Sequence, residues 1–185
     1  HLESCKKIKY MFPKAHACAY IMMAIRIGYF KINYPLAYYA AYFSIRAKAF
    51  NYETMAQGKE NLLSNMRKLK RLIGGKDSDA SESGSSEGAF SDQEETKEVG
   101  NRDLETYEDM KIVQEMYARG YDFMPIDIYR AKARHFQIID GKLMPSLVTI
   151  AGLGEKAAEQ IEYAAGQGPF SSKDDLKKRC KIGDS

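Results

Sequence analysis

The chain has 185 residues, 44% of them hydrophobic and 29% charged, with 13 Tyr, 8 Phe and no Trp. That is enough apolar material for one or two small domains with real cores, and it excludes a wholly disordered chain. The net charge of +3 hides an asymmetry: residues 1–75 carry 13 Lys/Arg against 3 Asp/Glu, residues 76–109 carry 3 against 12, and residues 110–185 carry 12 against 10. A strongly basic first part fits a polyanionic partner, and it also fits a plain solvated basic surface.

Cys5, Cys18 and Cys180 have neither metal-ligand nor disulfide-framework spacing, as expected of free thiols in a reducing compartment. The most apolar run, Ala15–Phe30, is too short to span a membrane and contains Arg26, and no signal-peptide pattern is present. The expectation is therefore a cytoplasmic protein without a membrane partner. The absence of an initiator Met and the ending Lys181-Ile182-Gly183-Asp184-Ser185 raise the expectation of a piece of a larger protein.

In chain order, the first informative stretch is Lys6–Phe30, KKIKYMFPKAHACAYIMMAIRIGYF. Pro13 suits the first helical position, where its missing N–H has no partner in any case. Lys14 and His16 then fall in the first turn, where free N–H groups point outward. Cations there oppose the helix dipole, so helix stability does not explain them, whereas a bound phosphate does. The spacing predicts a helix over 15–31, with Tyr20, Met23, Ala24, Ile27 and Phe30 on one face. Ile21 and Ile25 widen the stripe and predict burial over much of the circumference.

A second helix is predicted over 36–48, where Tyr38, Tyr39, Tyr42 and Phe43 alternate with Ala37, Ala40 and Ala41. This tyrosine stripe reads as core first and as a base-stacking platform second. A third helix is predicted over 51–73, capped by Asn51 or Thr54, with Arg67, Lys68, Lys70 and Arg71 suiting its C-terminal dipole and Gly74-Gly75 stopping it. Residues 76–102, rich in Ser, Gly and Glu, read as a disordered acidic linker. Asp77 and Asp79 within it have metal-pair spacing, but nothing there would hold two carboxylates in one geometry.

The 104–119 stretch is predicted helical, with Gly120 as its stop. Residues 121–127 read as extended because of Pro125, and Asp140-Gly141 predicts a hairpin between 135–139 and 142–144. In Leu147–Glu159, LVTIAGLGEKAAE, the pattern Gly152-Leu153-Gly154 followed by Lys156, Ala157 and Ala158 reads as a helix-hairpin-helix motif. Its glycines bring backbone N–H groups against a phosphate, the next helix supplies its N-terminus, and Lys156 adds charge. An ordinary Gly-rich turn into a helix is the alternative. Ser171 or Ser172 caps a last helix running to about Cys180.

Phe12-Pro13-Lys14-Ala15-His16-Ala17-Cys18-Ala19-Tyr20, then Pro35-Leu36 and Tyr38-Tyr39-Ala40-Ala41-Tyr42-Phe43, resemble the fingers of bacterial C-family replicative DNA polymerases. Glu3-Ser4-Cys5-Lys6-Lys7-Ile8-Lys9-Tyr10-Met11-Phe12 resembles the PolC type of Gram-positive bacteria in particular. The resemblance resumes from Ala118-Arg119-Gly120 through Asp127-Ile128-Tyr129-Arg130 to Pro169-Phe170-Ser171-Ser172-Lys173-Asp174-Asp175-Leu176, a region that in the family is the helix-hairpin-helix duplex-binding domain.

The resemblance implies template-directed addition of deoxynucleoside triphosphates to a primer 3′ end, with Lys9, Phe12, Lys14 and His16 contacting the incoming nucleotide. It implies that Gly152, Leu153, Gly154 and Lys156 hold primer-template duplex DNA. The Mg2+ ions would be bound by palm carboxylates outside these residues, so the chain alone is expected to hold no catalytic or metal-binding residue. A sliding clamp and other replisome proteins are the further partners implied. The expected fold class is mainly α: a basic helical fingers segment over 1–75, the acidic insert over 76–102, and a small α-rich domain over 103–185 with one β-hairpin and the helix-hairpin-helix. A non-catalytic helical nucleic-acid-binding protein and an interaction scaffold with an acidic tether are the competing expectations.

Overall fold

A computed structural model describes residues 13–73 and 100–181. Its described part is mainly helical: α1 (Lys14–Asn33), α2 (Pro35–Ile45), α3 (Tyr52–Met55), α4 (Lys59–Ile73), α5 (Asn101–Ala118), α6 (Glu155–Gly166) and α7 (Lys173–Cys180). A single two-stranded antiparallel sheet, β1 (Gln137–Ile139) with β2 (Lys142–Met144), and a 3-10 turn at Leu147–Thr149 complete it. Fold class and hairpin are as the sequence predicts.

The long helix expected over 51–73 is instead two. Asn51 caps α3 by accepting from the Thr54 N–H at 3.0 Å. Gly58 then takes φ +97°, a left-handed conformation that glycine adopts at little cost, and its carbonyl accepts the first bond of α4 from Leu62 at 3.1 Å. The start of α5 lies earlier than expected because the Asp103 carboxylate reaches back to the Gly100 N–H at 3.2 Å.

Two apolar clusters organise the packing. The larger joins Tyr39 and Phe43 of α2, Leu62 and Met66 of α4, and Met110, Val113 and Met116 of α5 to Phe123, Phe136 and Leu143 around the hairpin. Tyr39 and Phe43 are buried with nearly parallel rings 6.1 Å apart, as the core reading of the stripe predicts, while Tyr38 and Tyr42 are half-buried. This cluster crosses the compositional division at 75 and 103: helices from both sides of the acidic run share one core. The Ser44 hydroxyl accepts from the Phe136 N–H at 2.8 Å, and the Asp109 carboxylate accepts from the Ala49 N–H at 3.3 Å, which ties the same two regions together.

The hairpin turns through Asp140 (φ 50°) and Gly141 (φ 74°), a pair of positive φ values that matches the twist of the strands. Its register pairs Gln137 with Met144, Ile138 with Leu143 and Ile139 with Lys142. The 121–127 segment is extended as predicted, and it also bonds to the sheet, the Met124 N–H donating to the Leu143 carbonyl at 2.8 Å. The second cluster, of Ala131, Ala133, Met144, Leu147, Ala158, Ile161, Ala164 and Cys180, lies beneath α6 and α7.

The burial expected of α1 is absent: none of its residues is buried. Within this chain it packs mainly on α2, and its C-terminal end is held on α5. There Lys31 pairs with Glu115 at 2.8 Å, and Arg119 donates to the Lys31 carbonyl at 3.3 Å.

Candidate nucleic-acid interface

Two helix starts carry the sequence-predicted residues. At the first, Pro13 is the N-cap of α1 (φ −56°, ψ 139°), one position earlier than the first helical residue expected of it. No side chain caps this end, and the first turn holds no acidic residue. The Ala17 N–H bonds to the Pro13 carbonyl at 3.1 Å. Lys14 and His16 are both exposed, and the His16 ring leans on Tyr20 at 4.5 Å. Lys9 and Phe12 lie outside the described residues.

The second start is built from the core outward. Leu147 is buried in the second cluster, and Thr149 closes the 3-10 turn by donating to the Ser146 carbonyl at 2.6 Å. The Leu153 N–H then bonds to the Ile150 carbonyl at 3.1 Å, closing a tight turn through Gly152 at φ +79°. Gly154 is the N-cap of α6 with an ordinary φ of −73°, and no side chain caps it. Ala158, Ile161 and Ala164 bury one face of α6. Gly152, Gly154 and Lys156 are exposed, while Leu153 is half-buried against the second cluster. Leu153 thus anchors the turn, and its side chain points away from the open surface where the other three sit. A Cβ built on Gly152 or on Gly154 meets nothing within 4 Å, so both glycines border open space.

Residues distant in sequence complete this surface. Arg134 bridges Glu155 at 3.1 Å and Glu159 at 2.8 Å, so the acidic group in the first turn of α6 is matched by a cation. Glu162 accepts from the Ala133 N–H at 2.6 Å and pairs with Lys132 at 3.0 Å. Burial pushes the Glu162 carboxyl up, but the Ala133 N–H and Lys132 outweigh it and hold the group below its ordinary range. The 131–134 loop is thereby strapped to α6. Nothing local in the sequence marks Arg134, since its partners lie more than twenty residues away. The start of α7 offers no comparable opening. There Ser172 accepts from the Asp175 N–H at 3.1 Å, and Asp175 accepts from the Ser171 N–H at 3.1 Å. Among the described residues no three His, Cys, Asp or Glu side chains converge as a metal site. No described helix is long and apolar enough to cross a membrane.

A family model described as a helix-hairpin-helix motif matches residues 120–184, which take in the hairpin, the Gly152–Gly154 turn, α6 and α7. Over 179 residues, 97% of this chain, the sequence is 42% identical to a DNA polymerase III PolC-type of Streptococcus pneumoniae serotype 2. The chain is homologous to a segment of PolC-type DNA polymerase III. The PolC-type relatives of Streptococcus suis and Streptococcus mutans are 41% and 42% identical over the same share of the chain. The chain spans 11% of the length of each of these PolC-type relatives.

Proposed function

We propose that this segment serves a replicative DNA polymerase by holding duplex DNA at the Gly152–Lys156 turn and the incoming deoxynucleoside triphosphate at the start of α1. The observation that carries the first half is the uncapped N-terminus of α6 behind two glycines that face open space. A phosphate can approach the backbone there more closely than any side chain would allow, and an exposed Lys156 adds a cation. Such contacts bind the backbone without reading sequence. For the second half, the support is a helix start with no capping side chain and no acidic residue in its first turn, where Lys14 and His16 are exposed. Positioned cations of this kind stabilise charge during phosphoryl transfer. Lys9 and Phe12 belong to the same proposed nucleotide contact.

Catalysis itself would rest on metal-binding carboxylates, and on the Mg2+ they hold, outside these 185 residues. The primer-template duplex, the sliding clamp and the other replisome proteins are the partners of this reading, and the cytoplasm is its compartment. Amide chemical shifts of the labelled chain test both halves in one experiment. A duplex oligonucleotide should move residues 152–156, and a deoxynucleoside triphosphate should move residues 14–16. Shifts confined to the faces of α2 or α5 would contradict the assignment.

A further inference from the structure

The helix α4 carries a charge pattern that its own stability does not explain. Residues 61–73 hold Arg67, Lys68, Lys70 and Arg71 and no acidic residue. All four cations are exposed. The helix dipole favours positive charge within the last turn, which accounts for Lys70 and Arg71 but not for Arg67 and Lys68. Arg67 stands three residues before Lys70 and four before Arg71, and Lys68 stands three before Arg71. Those spacings make like charges neighbours on the helix surface, where they repel. Leu62, Met66 and Leu69 pack into the larger cluster. At about 100° per residue, the four cations fan over an arc of about 160° centred away from that seam.

The start of α5 adds a fifth cation. Arg102 lies in its first turn, where the dipole disfavours positive charge, and it is exposed. Arg102 and Lys68 border one hollow of about 320 Å3, with Asn51, Thr54, Asn65 and Thr106 as its other polar walls and no acidic side chain. Glu105, Glu108 and Asp109 of α5 line a separate hollow instead, together with Arg46 and Lys48. None of the ion pairs among the described residues involves Arg67, Lys68, Lys70, Arg71 or Arg102.

A face of this kind fits a polyanion, and two are at hand. Residues 76–98, which follow α4 through Gly74-Gly75, carry 8 Asp/Glu against 2 Lys. Duplex DNA presents about one charge per 1.7 Å of its axis and gains free energy by releasing condensed counterions, which favours it over the sparser carboxylates of 76–98. Single strands are held by stacking on aromatic side chains, and α4 has none. We propose that the exposed face of α4, with Arg102, is a second contact for duplex DNA, a strip that binds backbone phosphates and is separate from the Gly152–Lys156 turn. It shares with the reading above only the premise that the chain meets DNA, and it does not need the turn to bind.

Arg67, Lys68, Lys70 and Arg71 replaced together by Gln test the strip in fluorescence anisotropy with a labelled duplex. Each lost phosphate contact removes roughly 0.9 from the steepness of the log–log salt slope, so the fourfold variant should lose about 2 or more and bind at least about 10-fold more weakly at low salt. Its melting temperature should hold, because all four positions are exposed and Gln is a comparable helix former. Amide chemical shifts of the unsubstituted labelled chain give a measurement that does not depend on the variant folding. Duplex should move residues 67–71 and 102, and should still move them in the Gly154→Val chain. Shifts at 152–156 with none at 67–71 would overturn this inference and leave the reading of the turn standing, while shifts at 67–71 alone would do the reverse. Signals of 67–71 that respond to replacing the acidic residues of 76–98 by Gln and Asn, but not to duplex, would give the face to that segment and also overturn it. So would an unchanged affinity and salt slope in the fourfold variant.

Discussion

Gly152 and Gly154 stand two residues apart in the same turn, yet their replacement should fail in different ways. Gly152 has φ +79°, where a side chain is strained whatever the surrounding space. Gly152→Ala should therefore cost about 1–2 kcal/mol of stability. Gly154 has φ −73° and an empty space beyond its Cβ position, so Gly154→Ala leaves the fold intact, and the gain from restricting the unfolded chain is offset by alanine's poorer N-cap preference, for a net change of less than about 1 kcal/mol. What Gly154 provides is room for a phosphate against the α6 N-terminus. Gly154→Val fills that room, and loss of one charged hydrogen bond of about 1.5–3 kcal/mol corresponds to a roughly 10- to 100-fold weaker complex. Fluorescence anisotropy with a labelled duplex, paired with thermal melting, separates the two effects. A Gly154→Val chain that melts normally and binds duplex as tightly as the parent would refute the reasoning. A Gly154→Ala chain destabilised as much as Gly152→Ala would refute the turn geometry behind it.

Three further outcomes follow from named groups. In the complete polymerase, Lys14→Ala should lower nucleotide incorporation more than primer-template binding, measured by single-turnover kinetics and anisotropy; equal losses would remove Lys14 from the nucleotide site. The Asp109 carboxyl is buried, which raises it from 3.8 to about 6 against the opposing Ala49 N–H, with Glu105 and Glu108 adding to the rise. That interval is equivalent to about 3 kcal/mol. The folded chain holds this proton more tightly than the unfolded one, so the contribution is fully present below about pH 4 and is lost as pH rises to about 6. Asp109→Asn should accordingly stabilise the chain by about 1–2 kcal/mol at pH 7.5 and by nearly nothing at pH 4 in denaturant titrations, since part of the gain is offset by the new amide's own donors; an effect independent of pH would exclude a buried carboxylate as its cause. Leu62→Ala, at a fully buried position facing α5, should cost about 2–5 kcal/mol, and a change within error would mean that the shared α2–α4–α5 core does not form.

Local chemistry was readable from the sequence wherever it decided the outcome. Asp140-Gly141 specified the hairpin, Ser172 of the two candidate serines caps the last helix, and the alternation of Tyr and Ala made α2 a core helix, whereas Asn51 caps only the short α3 and not a helix running to 73. Features that depend on distant partners were not readable. The 51–73 stretch has helical periodicity throughout, and the positive φ at Gly58 marks where the helix breaks into two. Composition divides the chain at its acidic run, but Tyr39, Leu62, Met110 and Phe136 pack together across that run because buried apolar surface ignores sequence distance. Arg134 carries no local mark and becomes part of the hairpin surface only when the 131–134 loop is strapped to α6. The apolar pattern of α1 predicts burial over much of its circumference, yet none of its residues is buried, because periodicity marks an apolar surface without saying what covers it.

The central claim is that this segment holds duplex DNA by its phosphates and reads no sequence. It is tested most directly by measuring the affinity of the chain for two duplexes of unrelated sequence across a series of salt concentrations. Contact with phosphates through Lys156, the α6 N-terminus and neighbouring basic groups predicts equal affinities for the two. It also predicts a log–log salt slope steeper than about −2, each neutralised phosphate contributing roughly −0.9. A slope near zero, or a preference of tenfold or more for one duplex, would contradict it.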